Sequence, residues 1–254
     1  MYRAPTTALL RHLSPSFEKC VTAVDLNEAG AIDMAKANAQ HDRYAGVVKA
    51  CVTTVIEVDA DANHPDCCFI EDTLVVCGDV AVVNCLGHES RRGEVGPVRA
   101  QLEKVPTIKR VVNMANAEGS YIDGGDVLTM PHHQFVGLSK RSNMKGTLHL
   151  KCLISALDQS TIVVVDNTSG RAVFEEIQRL TNDAYKAIFV PDQVAANVLS
   201  FPWAVKPTCI IQASFPKSEE ILRASIPTGW NIITLDMSEL IKADGALTCC
   251  SVLI

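Results

Sequence analysis

Leu74-Val75-Val76-Cys77-Gly78-Asp79-Val80-Ala81-Val82-Val83 decides the reading of this chain. Two β-branched runs flank a Gly-Asp pair, the pattern of two antiparallel strands joined by a tight turn. Just downstream, Val95, Val98, Leu102 and Val105 fall at helical spacing, and residues 108–112 read as a further strand. The unit is hairpin, helix, strand, and it recurs. Hairpins are expected at residues 127–128 with 135–138, 153–154 with 162–165, and 198–199 with 209–211. Val173, Ile177 and Leu180 mark a second helix behind the candidate N-cap Ser169. Ser218, Glu219 and Glu220 open a third, with Ile221 and Leu222 facing inward, and Ser238 caps a short fourth. Residues 187–190 and 232–235 return as strands, and residues 251–254 close the chain as another.

A polar or nucleophilic residue stands just ahead of each hairpin or closing strand: Asp72, Asp126, His149, Asn197 and Cys249. Their separations are 54, 23, 48 and 52 residues. A period near 50 marks a repeat protein, and a ring of short sheets would bring these residues to one centre. The expectation is one α/β domain over residues 1–254, built as a propeller of five units. The third interval is half the others. Residues 139–148 are polar and too few for a helix and a returning strand, which need roughly 10–12 residues or more.

The 254 residues are 48 % hydrophobic and 20 % charged with net charge −6, which excludes a disordered chain and a basic nucleic-acid footprint. No long apolar run suggests a membrane span. None of the ten cysteines forms a CxxC pair, so the thiols are expected to be reduced, in a cytoplasmic protein. The N-terminal stretch, with Arg3, Arg11 and His12 and no acid before Glu18, has a mitochondrial-transit flavour. The competing reading, a first strand at residues 7–10, is preferred.

Several clusters could carry chemistry, and each has a plainer reading. Asp66, Glu71 and Asp72 beside Phe69 could grip a cation that also wants an apolar or π surface, or form a solvated acidic turn. Asp123-Gly124-Gly125-Asp126 allows close backbone approach to a ligand, or is an ordinary turn. Arg91-Arg92 and Lys140-Arg141 could clamp a carboxylate, or serve solubility. His149 could be an acid/base, or a core histidine. Cys249 and Cys250 could supply a nucleophile, or be buried thiols. His64, Cys67 and Cys68 match no zinc spacing.

Together these residues resemble the dimethylarginine dimethylaminohydrolases of the guanidine-modifying (pentein) superfamily. The resemblance spans nearly the whole chain. It is carried by residues 64–72, Ser90-Arg91-Arg92, residues 122–128 and 136–143, Pro191-Asp192, Ala195-Ala196-Asn197 and residues 244–254. It implies a five-bladed α/β propeller and hydrolysis of Nω-methylated arginines to citrulline and an alkylamine, relieving inhibition of nitric oxide synthase. Cys249 would be the nucleophile, His149 the general acid/base and Asp123 its orienting carboxylate. Asp66, Glu71 and Asp72 would bind the guanidinium beside Phe69. Arg91 and Arg141 would hold the substrate α-carboxylate, and Ala243 with Asp244 would contact the α-amino end. Lys151 stands where an arginine deiminase has an acid. The resemblance implies no cofactor and no required metal, with Cys249 a candidate ligand for an inhibitory zinc ion. The expected partner is the small-molecule substrate alone, for a monomer that binds neither nucleic acid nor membrane. Relatives carry a helix and a strand ahead of the histidine that this chain lacks, so it reads as an internally shortened form; the alternative is an inactive binding or regulatory variant.

Overall fold

A computed structural model describes residues 4–114, 119–138 and 149–254. Within them the chain runs through β1 (Thr7–Arg11), α1 (Leu26–Ala29), α2 (Met34–Cys51) and β2 (Thr54–Val58). Then come β3 (Leu74–Cys77), β4 (Val80–Val83), α3 (Val95–Gln101) and β5 (Arg110–Asn113). The short hairpin β6 (Val127–Thr129) and β7 (Gln134–Val136) follows. Next are β8 (Ile154–Ala156), β9 (Thr161–Val165), α4 (Thr168–Thr181) and β10 (Lys186–Val190). The last elements are β11 (Leu199–Phe201), β12 (Thr208–Gln212), α5 (Pro216–Ser225), β13 (Asn231–Leu235), α6 (Ser238–Ile241) and β14 (Ser251–Leu253).

These strands form five small sheets: β14-β1-β2, β3-β4-β5, β6-β7, β8-β9-β10 and β11-β12-β13. In each three-stranded sheet an antiparallel pair is followed by a parallel third strand reached through a helix, as in Leu74 opposite Val83 and Val80 opposite Arg110. The C-terminal strand supplies the missing partner of the first unit, with Leu10 opposite Ser251 and Ala8 opposite Leu253. The first unit is thus completed by the chain's own terminus, which closes the ring. The five-unit reading therefore holds, and among the described residues the third unit shows two strands where the others show three.

Burial explains the strand choice. Ile162, Val163 and Val164 are fully buried in the middle strand of the fourth unit, each worth about 1.5–3 kcal/mol relative to exposure. Four details differ from the sequence expectation, the first being that α6 begins at Ser238 itself, behind Met237, so Ser238 is not its cap. The α4 cap is Asn167, whose side chain accepts from Gly170 N at 2.8 Å, so Ser169 lies inside the helix. Leu180 is 58 % exposed on that helix rather than facing the core. Helix α5 begins at Pro216, whose fixed φ suits the first turn, which places Ser218 inside the helix. No helix among the described residues is long and apolar enough to cross a membrane.

Candidate active site

Five short 3-10 turns lead into the five inner strands: Ile70–Thr73, Gly124–Asp126, Leu150–Cys152, Val194–Ala196 and Thr248–Cys250. The recurring polar residues sit on or beside these turns, and they bind one turn to the next. Asp72 Oδ1 accepts from Gly125 N at 3.0 Å. Asp126 Oδ1 accepts from Leu150 N at 3.2 Å. Asn197 Nδ2 donates to the Lys151 carbonyl at 3.1 Å. Its Oδ1 accepts from Thr248 N at 3.0 Å, and Thr248 Oγ1 donates to Glu71 Oε2 at 3.0 Å. The chain of bonds closes on itself, so every turn is located by a neighbouring unit.

Two glycines bring the walls together. A Cβ on Gly124 would stand 2.0 Å from the Glu71 carbonyl oxygen, and one on Gly125 would stand 2.4 Å from His149 Nδ1. His149 therefore lies directly over the Gly125 backbone. Its other nitrogen, Nε2, is 3.5 Å from Asp123 Oδ2, at ion-pair distance but without a hydrogen bond. Asp123 is buried and fixed on its other oxygen by Gly87 N at 3.0 Å.

The charges around this pair set its protonation. Burial works against an imidazolium, but Asp123, Asp72 and Asp126 together raise His149 above its ordinary pKa. Cys249, on the adjoining turn, is only partly exposed. Desolvation first, then the Glu71 and Asp72 carboxylates, push its thiol well above the usual range. The site thus favours a neutral thiol and a histidine biased toward its cation.

The acids are themselves held. Glu71 receives Lys151 Nζ at 2.7 Å on one oxygen and Thr248 on the other, and burial keeps its pKa raised despite the lysine. Burial opposes the charge on Asp72 too, but Arg91 Nη1 at 2.6 Å and the nearby His149 hold it well below the usual carboxylate range. Arg91 is 4 % exposed, with Nε and Nη2 on Glu94 and Nη2 also donating to the Phe69 carbonyl. Its fork is largely spent on buried partners. Arg92 instead donates to Leu86 O and lies 4.7 Å over the Tyr121 ring.

Asp66 is buried, and both its oxygens accept from Val21 N at 3.1 and 3.2 Å. The loop that supplies Val21 also donates Ala23 N to Asp244 Oδ2 at 2.5 Å and Thr22 Oγ1 to Lys242 O. The contacts to Asp66 and Asp244 are made by backbone N–H groups that any residue type supplies, so they leave no motif in residues 21–30. Ala243 is buried, and Asp244 is exposed with φ +59°, turning the chain toward Cys249. Phe69 packs edge-on against Phe17, and a Cβ on Gly245 would strike its ring at 2.1 Å. Arg141 lies outside the described residues. His64, the candidate metal ligand, bonds Asp61 at 2.8 Å. An axial cavity of about 210 Å³ is lined in part by Glu71, Lys151 and Thr248, while Cys249, His149 and Asp123 are not among its walls.

Glu94, Asn197 and Thr248 were not anticipated as site residues. Asn197 had a signal in its repeat position. Glu94 had none, since its role depends on Arg91 folding back onto it.

No protein-family model matches the chain. It is 29 % identical over 268 residues to N(G),N(G)-dimethylarginine dimethylaminohydrolase of Streptomyces coelicolor, covering 96 % of this chain and 95 % of the relative. The Pseudomonas aeruginosa protein of that name is 25 % identical over 255 residues, covering 91 % and 93 %. The putative hydrolase DDAH2 of Homo sapiens is 27 % identical over 245 residues, covering 86 % and 84 %. Among solved structures, a cysteine-to-serine variant of the Pseudomonas aeruginosa enzyme complexed with citrulline superposes with TM-score 0.80 at 23 % identity, covering 99 % of this chain and 100 % of that one. The N-terminal domain of ArgZ, a cyanobacterial arginine dihydrolase, superposes at 0.75 with 17 % identity, covering 97 % of each chain. The fold is that of the penteins, and the similarity supports a guanidino-modifying hydrolase of that class. In both sequence and fold, the chain is similar to the dimethylarginine dimethylaminohydrolases.

Proposed function

We propose that the protein hydrolyses Nω-methylated arginines, asymmetric dimethylarginine and monomethylarginine, to citrulline and dimethylamine or methylamine. The observation that carries the reading is the junction of turns. A thiol at Cys249 and an imidazole at His149 both lie in the field of Asp72, with Asp123 behind the histidine and Glu71 beside the thiol. Such a constellation suits a planar cation whose central carbon must be attacked by sulfur.

Asp66, Glu71 and Asp72 orient the guanidinium in this reading, with Phe69 as an apolar wall. Arrival of that cation offsets the carboxylates that keep Cys249 protonated, so the thiol loses its proton to solvent as substrate binds. The thiolate attacks Cζ and forms a tetrahedral adduct. The C–N bond to the alkylamine breaks as His149 donates its proton to the departing nitrogen. The planar thiouronium is then attacked by water, one proton of which returns to His149, and the C–S bond breaks to release the thiolate and citrulline, the second water proton passing to solvent. Arg141 holds the α-carboxylate, Ala243 and Asp244 the amino end, and Arg91 mainly pins Asp72. Removal of methylated arginine would relieve inhibition of nitric oxide synthase.

Citrulline release from asymmetric dimethylarginine, monomethylarginine and arginine tests the proposal. Turnover of the methylated substrates that disappears in Cys249→Ser is expected. Absence of product from the wild-type chain, or equal product from Cys249→Ser, overturns it.

A further inference from the structure

Asn197 stands behind the proposed catalytic pair and touches neither reacting group. Its side chain is 3 % exposed and fully committed. One end donates to the Lys151 carbonyl, on the turn that follows His149, and to Thr248 Oγ1, both at 3.1 Å. The other accepts from Thr248 N at 3.0 Å, one residue before Cys249. A single amide therefore spans the turn of the histidine and the turn of the cysteine, which belong to different units and are 100 residues apart in sequence. Only a group with a donor at one end and an acceptor at the other can make this set, and Asn is short and rigid enough to hold both turns at once.

The neighbouring bonds enforce the geometry. Val198 N donates to Ser155 Oγ at 3.0 Å, and Ser155 Oγ donates to Ala196 O at 2.6 Å, so the backbone on both sides of Asn197 is clamped. Thr248 passes the constraint to Glu71, whose other oxygen takes Lys151 Nζ. Lys151 is thus gripped at its carbonyl by Asn197 and at its ammonium by Glu71.

We propose that Asn197 is a positioning residue that sets the spacing of Cys249 and His149. The proposal rests on the hydrolase reading above. Loss of the amide leaves each turn tied to its own unit but not to the other. The expected result is slow chemistry with substrate binding preserved, because no group assigned to the substrate is removed.

The test compares Asn197→Ala, Asn197→Asp and Ser218→Ala with wild type. Ser218 is a remote control: its buried hydroxyl makes two hydrogen bonds with Asp192, at 2.7 and 3.2 Å, and lies away from the site. Asn197→Asp keeps the acceptor for Thr248 N and loses the donor to Lys151, so it reports on the tie even if the alanine variant does not fold. For the Asn197 variants, kcat for citrulline release should fall by about 10- to 100-fold, as expected for a catalytic group displaced by about 1 Å, with KM unchanged. The pH midpoint for iodoacetamide labelling of Cys249, followed by mass spectrometry, should shift because the turn that carries the thiol beside Glu71 loses its tie through Thr248. Ser218→Ala should lower Tm and leave kcat and the labelling profile unchanged. Asn197 variants with lowered Tm but wild-type kcat and labelling would overturn the proposal, as would equal rate losses in Ser218→Ala. If the wild-type chain releases no citrulline, the hydrolase reading fails by itself. The labelling comparison then still decides whether Asn197 sets the environment of Cys249.

Discussion

Gly125→Ala is the sharpest probe of the site, because it adds one methyl group at the point where the backbone meets His149. The new Cβ would stand 2.4 Å from His149 Nδ1 and 3.2 Å from Asp72 Oδ1. Ordinary van der Waals contact begins near 3.4 Å, so the ring must retreat by about 1 Å, a displacement that can cost about 10²-fold in rate. That corresponds to about 2.7 kcal/mol on the barrier at 1.36 kcal/mol per decade. The fold should lose less than it does at the neighbouring glycine, since a side chain can yield where a backbone cannot. Overpacking of this kind costs about 1–3 kcal/mol. Gly124→Ala is the contrast: its Cβ would meet the Glu71 carbonyl oxygen at 2.0 Å, forcing two backbone turns apart, and should chiefly lower Tm. The assay is steady-state citrulline release alongside a thermal melt for each variant. Gly125→Ala should remain folded with kcat down by about two decades and KM little changed. Wild-type kcat in a folded Gly125→Ala protein would refute the placement of His149 as the acid/base at this contact.

Arg91→Ala should destabilise the fold by about 3–5 kcal/mol, because it strands the buried Asp72 and Glu94 carboxylates; a rise in KM with unchanged Tm would instead mark Arg91 as a substrate clamp only. His41 is held at a pKa of about 4 by burial. Between its ordinary value of 6.5 and about 4 the unfolded chain binds a proton that the folded chain excludes. Stability should therefore fall as pH drops through that window, by about 3 kcal/mol from this residue at 1.36 kcal/mol per unit. Chemical denaturation across pH should show the slope flatten in His41→Leu, and an unchanged slope would remove His41 as its source. The kcat/KM profile should be bell-shaped, rising as the Cys249 thiol ionises and falling as the raised His149 loses its proton; a profile without the alkaline fall would show that His149 does not act as the acid.

The repeat was legible because each unit carries a strong local signal, a β-branched hairpin preceded by a polar residue. Those same positions proved to be the stitches between units, so Asp72, Asp126 and Asn197 could be found by spacing alone. Helix α2 was missed. Its buried face reads Ala37, Gln40, His41, Tyr44 and Val48, a helical period disguised by two polar members. Gln40 is buried since its amide bonds Ser238 and Glu239, partners nearly two hundred residues away that no local pattern reveals. Similarly, Arg91-Arg92 reads locally as a carboxylate clamp or a solubilising pair, whereas Arg91 is buried on Glu94 and Asp72. The bond to Asp72, 19 residues earlier in the chain, leaves no mark on the local pattern.

The third unit, whose described part is a two-stranded hairpin and which the sequence reading expects to be short, can be weighed by its neighbours. The outer strands β2, β10 and β13 each end on a buried residue, while β5 is exposed at three of its four positions. Val111 and Val112 on β5 are 43 % and 36 % exposed, and Val136 and Leu138 at the end of the third hairpin are 50 % and 61 % exposed. Among the described residues, four of the six exposed large apolar side chains thus lie in the second and third units, and the other two, Leu180 and Val205, lie in the fourth and fifth. The inner turns of the third unit remain closed: Asp126 is fully buried, Gly137 N donates to its carbonyl at 2.7 Å, and its carboxylate holds Leu150 N beside His149. Tyr185 of the fourth unit bonds His133 at 2.8 Å and packs edge-on against Phe135, anchoring the short hairpin from the other side. In a ring whose units are joined mainly at their inner ends, loss of outer elements exposes apolar area at the rim without opening the centre. The shortening should therefore cost stability and solubility before it costs the geometry of His149.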